Sequence, residues 1–187
     1  FRSEYDDKQE SILIPVDLSN VATVVRNASS LEMTGLELEV MYQVSEAWDV
    51  MATYGYLNSE YDNYVADLTG DGIVTDNSDL VPRNTPENTF GLTTSYTTQI
   101  GDGDLKARIS YRFRDSMESE SQNNPLGSLD SIHNVNANIN YTISNYSVSV
   151  WGRNITDERE ERWSTIGGLT SRGWWNEPAT YGVTLSA

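Results

Sequence analysis

The chain has 187 residues, of which 28 are Asp or Glu and 12 are Lys or Arg, giving a formal charge of -16. That balance excludes nucleic acid as a partner, because phosphate backbones need a basic footprint. The lack of cysteine excludes disulfides, thiol nucleophiles and thiolate metal sites. No run of about 18 apolar residues is present to form a membrane helix, but a strand shows lipid only every second side chain and escapes that criterion.

Period-two alternation recurs along the chain in eight segments. The first, roughly residues 1–16, alternates least well. Leu36, Leu38, Val40 and Tyr42 then alternate with Glu37, Glu39 and Met41. Trp48, Val50, Ala52, Tyr54 and Tyr56 alternate with Asp49, Met51, Thr53 and Gly55. Phe90, Leu92, Thr94 and Tyr96 face away from Gly91, Thr93, Ser95 and Thr97. Residues 105–114 give the clearest case: Leu105, Ala107, Ile109, Tyr111 and Phe113 against Lys106, Arg108, Ser110, Arg112 and Arg114. Val135, Ala137, Ile139 and Tyr141 alternate with asparagines at 134, 136, 138 and 140. Tyr146, Val148 and Val150 alternate with Ser147, Ser149 and Trp151, and Tyr181, Val183 and Leu185 with Gly182, Thr184 and Ser186.

The links between segments alternate in length. Short ones fall at 44–46, 100–103 and 144–145; long ones run roughly through 17–28, 58–88, 115–131 and 156–178. Tight turns at one rim and long loops at the other are the rhythm of a membrane barrel. Aromatic residues bound the apolar stretch, with Trp48 near a short turn and Tyr56 near a long loop. Their separation is about 26 Å along a strand, or about 20 Å of depth at a tilt near 40°. The expected fold is all-β, a transmembrane antiparallel β-barrel segment.

Several blocks resemble the C-terminal barrel region of the TonB-dependent receptors. They are Asn27-Ala28 with Gly35-Leu36-Glu37-Leu38-Glu39, the strand 48–57, Asn84-Thr85-Pro86, Gly152-Arg153-Asn154-Ile155-Thr156-Asp157-Glu158, and Pro178-Ala179-Thr180-Tyr181-Gly182-Val183-Thr184-Leu185. The resemblance implies that residues 1–187 are the last eight strands of a twenty-two-stranded barrel in the bacterial outer membrane. It also implies an N-terminal plug and earlier strands outside this chain, and a closing aromatic residue beyond Ser186-Ala187. The activity it implies is import of an iron chelate, cobalamin or glycan. Energy would come through TonB by way of the missing N-terminal part, and outer-membrane lipid would meet the apolar side. Two other readings remain open: a self-contained eight-stranded outer-membrane barrel with partner-binding loops, and a secreted calcium-binding β adhesin.

Residues that carry chemistry are few. His133 is the single histidine and no nucleophile elbow accompanies it, so the chain reads as no enzyme and requires no cofactor. The segment 67–79 spaces Asp67, Thr69, Asp71 and the Ile73 carbonyl like the start of a calcium loop, with glycine at position six. Ser78 replaces the usual Glu at position twelve and Asp79 follows it, so a bound calcium ion would be held weakly. Lys106, Arg108, Arg112 and Arg114, with Glu37, Glu39 and Asp49, suggest an internal charge network. The 158–162 run Glu-Arg-Glu-Glu-Arg reads as a solvated or salt-bridged surface. In the last long loop, Trp163, Arg172, Trp174 and Trp175 offer either ligand contact or packing between loops.

Overall fold

Three two-residue turns organise the chain: Glu46-Ala47, Gly101-Asp102 and Ser144-Asn145. Gly101 (φ 62°) and Ser144 (φ 51°) adopt the positive φ that a tight reversal between twisted strands requires. The computed structural model describes residues 1–16, 21–167 and 170–187. Its main strands are β1 (Arg2–Pro15), β2 (Val21–Ser45) and β3 (Trp48–Ala66), followed by the short β4 (Thr75–Asp76). Next come β5 (Asn88–Ile100), β6 (Gly103–Arg114), and the short β7 (Met117–Glu118) and β8 (Ser128–Leu129). The chain continues with β9 (Ile132–Ile143), β10 (Tyr146–Arg153), β11 (Glu161–Gly167), β12 (Thr170–Trp175) and β13 (Thr180–Ser186).

All eight alternating segments form strands, and they lie antiparallel in the order β1-β2-β3-β5-β6-β9-β10-β13. Pairs β7–β8 and β11–β12 form separate hairpins within the long loops. The expected barrel is corrected here, because the sheet does not close. Among the described residues β1 pairs only with β2 and β13 only with β10. β1 covers β2 no further than Thr34, and Gly35 bonds to Phe1, so among the described residues no strand lies on that side of residues 36–45 of β2. Alternation fixes which side of a strand is apolar. Closure is a separate condition, requiring tilt and stagger that bring the first strand against the last.

Two strands are longer than expected. β2 starts at Val21 and β3 runs to Ala66, so 21–28 and 58–66 are strand rather than loop; the rest of the first expected loop, 17–20, lies outside the described residues. A bulge accounts for the second extension. Leu31 lies opposite Tyr61 and Ser30 opposite Asn63, which leaves Asp62 as an extra residue on β3. Tyr61 and Tyr64, three apart, would normally point to opposite sides. The extra residue turns both to one side, with ring centroids 4.6 Å apart. There they join Ile12, Leu31 and Ala66 in a buried cluster, with Ile14, Met33, Leu68 and Leu80 packed against it. Each large apolar side chain buried this way contributes about 1.5–3 kcal/mol.

Below this cluster the sheet has two unlike faces. Leu36, Tyr56 and Asn88 form one cross-strand row, and Tyr42, Val50, Thr94, Ile109, Ala137 and Gly152 form another. Large apolar side chains on this side stand exposed, with Leu38 at 54%, Val150 at 52% and Leu185 at 74%. An apolar surface of this extent is unlike the exterior of a water-soluble domain.

Candidate functional site

The opposite face is polar and bears the candidate site. Arg112 lies between Gly91 of β5 and Asn134 of β9, and Arg108 between Ser95 and Asn138. The asparagines are tied into the sheet surface: Asn136 Nδ2 donates to Asn134 Oδ1 at 2.9 Å, Asn138 Nδ2 to Ser149 Oγ at 2.6 Å, and Asn140 Nδ2 to Thr142 Oγ1 at 3.0 Å. Toward the long loops this face opens into a cleft of about 970 Å³ lined by Arg112, Arg114, Arg153, Arg162, Asn134 and Trp175, among others. The size suits a drug-sized or chelate-sized ligand.

The segment between β10 and β11 gives the cleft its upper wall. Asn154 is buried with φ 48°, and its backbone N–H donates to Asn136 Oδ1 at 2.9 Å. Its side chain donates to the carbonyls of Glu158 (3.0 Å) and Glu177 (3.1 Å) and accepts from the Glu158 N–H. Asn176 repeats the device from the other arm: its Oδ1 accepts from the Glu160 N–H at 3.0 Å and its Nδ2 donates to the Glu158 carbonyl at 2.9 Å. These bonds hold Glu160 buried, 3.5 Å from Arg112 Nη2. Among the described residues the cationic strand face thus pairs with Glu160 of the last loop, rather than with Glu37, Glu39 or Asp49. The 158–162 run therefore carries a buried carboxylate paired with a half-exposed arginine as well as solvated charge.

The tryptophans expected to act together are divided. Trp163 lies opposite Trp174 across the β11–β12 hairpin, edge to face at 6.1 Å, and both are exposed. Exposed Arg172 belongs to the same hairpin, opposite Thr165. Trp175 lines the cleft instead, as does Arg162, the extra residue where Glu161 opposes Trp175 and Trp163 opposes Trp174. Such bulges re-aim a side chain.

In the 67–79 loop, Asp67 and Asp71 stand on one turn. Asp67 Oδ1 accepts from the N–H of Thr69 (3.1 Å) and Gly70 (2.7 Å), its Oδ2 from Gly72 N–H (2.9 Å), and Asp71 Oδ1 from Ile73 N–H (2.8 Å). Desolvation acts upward on the Asp67 carboxyl, but the N–H groups of Gly72, Gly70 and Thr69 together outweigh it and hold the pKa below its usual value. Asp79 is exposed beyond β4, after a turn in which Asp76 Oδ1 accepts from Ser78.

A polar centre that the sequence reading missed is Glu10 on β1. It is fully buried in contact with Lys8; Tyr61 Oη donates to it at 3.0 Å, Ser121 Oγ at 2.7 Å, and Arg83 Nε lies 3.5 Å away. Burial alone would raise its pKa, but bonds from Lys8, Ser121 and Tyr61 together with the Lys8 charge hold it low. Four segments distant in sequence meet at this carboxylate. A polar residue in the weakest-alternating strand offered no periodic signal for it. His133 also finds a role: its ring stacks beside Tyr111 and Phe113, and its Nδ1 lies 2.8 Å from Tyr111 Oη.

The family model described as "TonB dependent receptor-like, beta-barrel" matches residues 1–155. Among solved structures, the chain resembles the ferric yersiniabactin uptake receptor FyuA of Yersinia pestis, with TM-score 0.72 and 16% identity, covering 87% of this chain and 24% of that one. It likewise resembles the siderophore receptor PiuA of Acinetobacter baumannii, with TM-score 0.70 and 20% identity over 98% of this chain and 24% of that one. The ferric-catecholate import receptor Fiu of E. coli gives TM-score 0.65 and 19% identity over 98% of this chain and 23% of that one. The chain therefore spans about a quarter of the length of the structures it matches.

Proposed function

The chain belongs to the TonB-dependent receptor-like family, and on that premise we propose that its sheet is the C-terminal part of a receptor that imports a nutrient, with an iron chelate favoured over cobalamin or a glycan. Its place is the bacterial outer membrane, and it is not an enzyme, in keeping with the non-catalytic transport receptors of that family. One observation carries the proposal: a single sheet with an exposed apolar face on one side and an arginine- and asparagine-lined cleft on the other. In this reading outer-membrane lipid covers the apolar face. The plug and the TonB-contacting segment come from parts of the receptor outside these residues, and the polar face with its loops receives the ligand. The exposed Trp163, Trp174 and Arg172 would meet the ligand first, and Trp175 within the cleft.

The test is labelling of single cysteines in the intact receptor with a membrane-impermeant thiol reagent, alongside uptake of radioactive iron chelates. Arg108→Cys and Arg112→Cys should label through water, whereas Ala107→Cys and Ile109→Cys should stay protected. Equal labelling of both sets, or chelate uptake unchanged in cells lacking the receptor, would overturn the proposal.

For the 67–79 loop we propose weak calcium binding, in the ~10⁻⁴–10⁻³ M range of extracellular modules. Asp67 and Asp71 share one exposed turn in a region with a single base, Arg83, among seven acids. Calcium should protect this loop from protease in the intact receptor, and Asp67→Asn with Asp71→Asn should remove that protection.

A further inference from the structure

The excursion between β6 and β9 is short but fixed by its own bonds. Its ends pair as β7 and β8, Met117 against Leu129 and Glu118 against Ser128. Between them the Asn123 N–H donates to the Glu120 carbonyl at 3.2 Å, and the Gly127 N–H to the Asn124 carbonyl at 2.7 Å, closing the 3₁₀ turn Pro125–Gly127. The Ser119 N–H reaches across to the Gly127 carbonyl at 3.2 Å. A loop with joined ends and an interior bonded to itself is compact, and it shifts as one body.

Its outward contacts run in two directions. On one side the Ser121 hydroxyl donates to Glu10 of β1 at 2.7 Å, and Gln122 Nε2 donates to the Leu68 carbonyl at 3.3 Å. Asn123 exchanges two bonds with Val81, accepting from its N–H at 2.6 Å and donating to its carbonyl at 2.9 Å. The Asn84 N–H donates to the Glu118 carbonyl at 2.8 Å. On the other side lies β11. The Ser119 hydroxyl shares its single proton between the carbonyls of Gly127 and Ser164, the latter at 2.8 Å, and Ser164 Oγ donates back to the Leu126 carbonyl at 3.1 Å. Glu10, Ser119, Ser121 and Ser164 are all buried, so water does not replace a bond that one of them loses.

We propose that residues 117–129 form a strap that couples β1 to the β11–β12 hairpin. The two are far apart in the sheet, where β1 is first and β10, which leads into the hairpin, is next to last. The base of the hairpin is held by Asn154 and Asn176, so the contact at Ser164 sets how far it swings from that base. A hairpin that swings carries the strap with it through Ser119 and Leu126, and the strap then draws Ser121 away from Glu10. Lys8, Tyr61 and Arg83 remain on the carboxylate, so this one bond opens without leaving it bare. The strap thereby decides where Trp163, Trp174 and Trp175 stand, and coupling of this kind is reciprocal.

Hydrogen exchange of the intact receptor in outer-membrane vesicles, without ligand, tests the coupling. Ser121→Ala cuts the strap on the β1 side, and the β11–β12 amides should exchange about tenfold faster. Ser119→Ala cuts it on the hairpin side, and the amides of residues 10–14 should accelerate by a similar factor, about tenfold. The double variant should do little more than either single one, because a strap free at one end transmits nothing; two independent losses would instead multiply to about a hundredfold. Ser121→Cys, which keeps the size of the side chain and weakens the donor, carries the same test if Ser121→Ala does not assemble. Loosening confined to the end each variant touches, or a multiplied effect in the double variant, overturns the inference. So does an equal loss of protection in β6 and β9, since the strap would then be one more part of the general fold. The measurement uses neither chelate nor uptake, so its outcome is separate from that of the import reading.

Discussion

The loop end of the sheet and the region below it use the same side chains to opposite effect. Around β1 and the far halves of β2 and β3, Ile12, Leu31, Tyr61 and Tyr64 are packed out of contact with solvent. A few residues further along the same strands, Leu36, Leu38, Val40 and Tyr42 stand exposed. Composition does not separate the regions, since both are rich in leucine, valine and tyrosine. The difference lies in what covers the strands. At the loop end the chain covers itself, with bulges and buried polar contacts that pull distant loops together. Lower down, none of the described residues covers the apolar face, as expected of a surface that meets lipid.

The largest expected effect is at the centre of the self-covered region. Glu10→Ala removes the carboxylate that pairs with Lys8 and Arg83 and accepts from Tyr61 and Ser121. Breaking a buried ion pair from one side costs about 3–5 kcal/mol; because Lys8 and Arg83 keep part of their contact with solvent, the loss falls at the low end, most of it from the buried Tyr61 and Ser121 donors left unpaired. Hydrogen exchange of the β1–β3 loop-end amides should accelerate accordingly, while β6 and β9 amides hold their protection. The same group predicts a pH dependence. Its pKa is depressed in the folded state, so its stabilisation is complete above the ordinary glutamate value and is lost as pH falls through the folded value. The loop end should therefore loosen in acid before the sheet below it does. Simultaneous loss of protection in both regions would erase the distinction between them.

A second substitution tests the uncovered region. Ile109 is 51% exposed and lies in register with Thr94 and Ala137. Ile109→Arg should cost about 2–4 kcal/mol if lipid covers the position at mid-depth, and close to nothing if water does. The amount of folded, protease-resistant receptor in the outer membrane measures it. Arg108→Ile, one residue away on the polar face, should leave assembly near wild type. Tolerance of Ile109→Arg would make the exposed face a water-facing one and end the lipid assignment.

How far the sequence could be read follows the same division. In the lower region each strand keeps strict alternation and each short link is two residues, so strands, turns and facing side chains are all legible. Lys106, Arg108, Arg112 and Arg114 fall on the polar side as expected. Alternation fails at the loop end, because Asp62 breaks the phase between Tyr61 and Tyr64, and the extra residue Arg162 does the same between Glu161 and Trp163. A bulge moves every later side chain to the other face, which is why the core was hidden; Trp175 parts from Trp163 and Trp174 because it follows Trp174 directly in β12, where successive side chains face opposite sides. Closure was misjudged for a different reason, since it depends on the tilt and stagger that bring the first strand against the last, and periodicity carries no information about those. Asn154 and Asn176 carried a fainter signal: asparagine readily adopts positive φ and bonds to nearby backbone, and the first of them sits in the motif that most resembles the family.

The smallest expected effect distinguishes two neighbouring hydroxyls in the buried cluster. Tyr61 Oη donates to Glu10 at 3.0 Å; Tyr64 Oη is buried beside Ser121 but makes no hydrogen bond of good geometry among the described residues. Burial, with the Glu10 charge adding to it, pushes the Tyr64 phenol up to about 12, so it remains neutral at any pH the cell meets. Removing a hydroxyl that donates to a carboxylate forfeits a charge-assisted bond of about 1.5–3 kcal/mol, whereas removing an unpaired buried one relieves a desolvation cost and loses no bond. Tyr61→Phe should therefore destabilise the loop end, and Tyr64→Phe should leave it unchanged or stabilise it by up to about 1 kcal/mol. Hydrogen exchange on the two variants, read at the same loop-end amides, gives the comparison directly. Equal destabilisation would mean that the Tyr64 hydroxyl is paired after all, with Ser121 or a buried water as its partner.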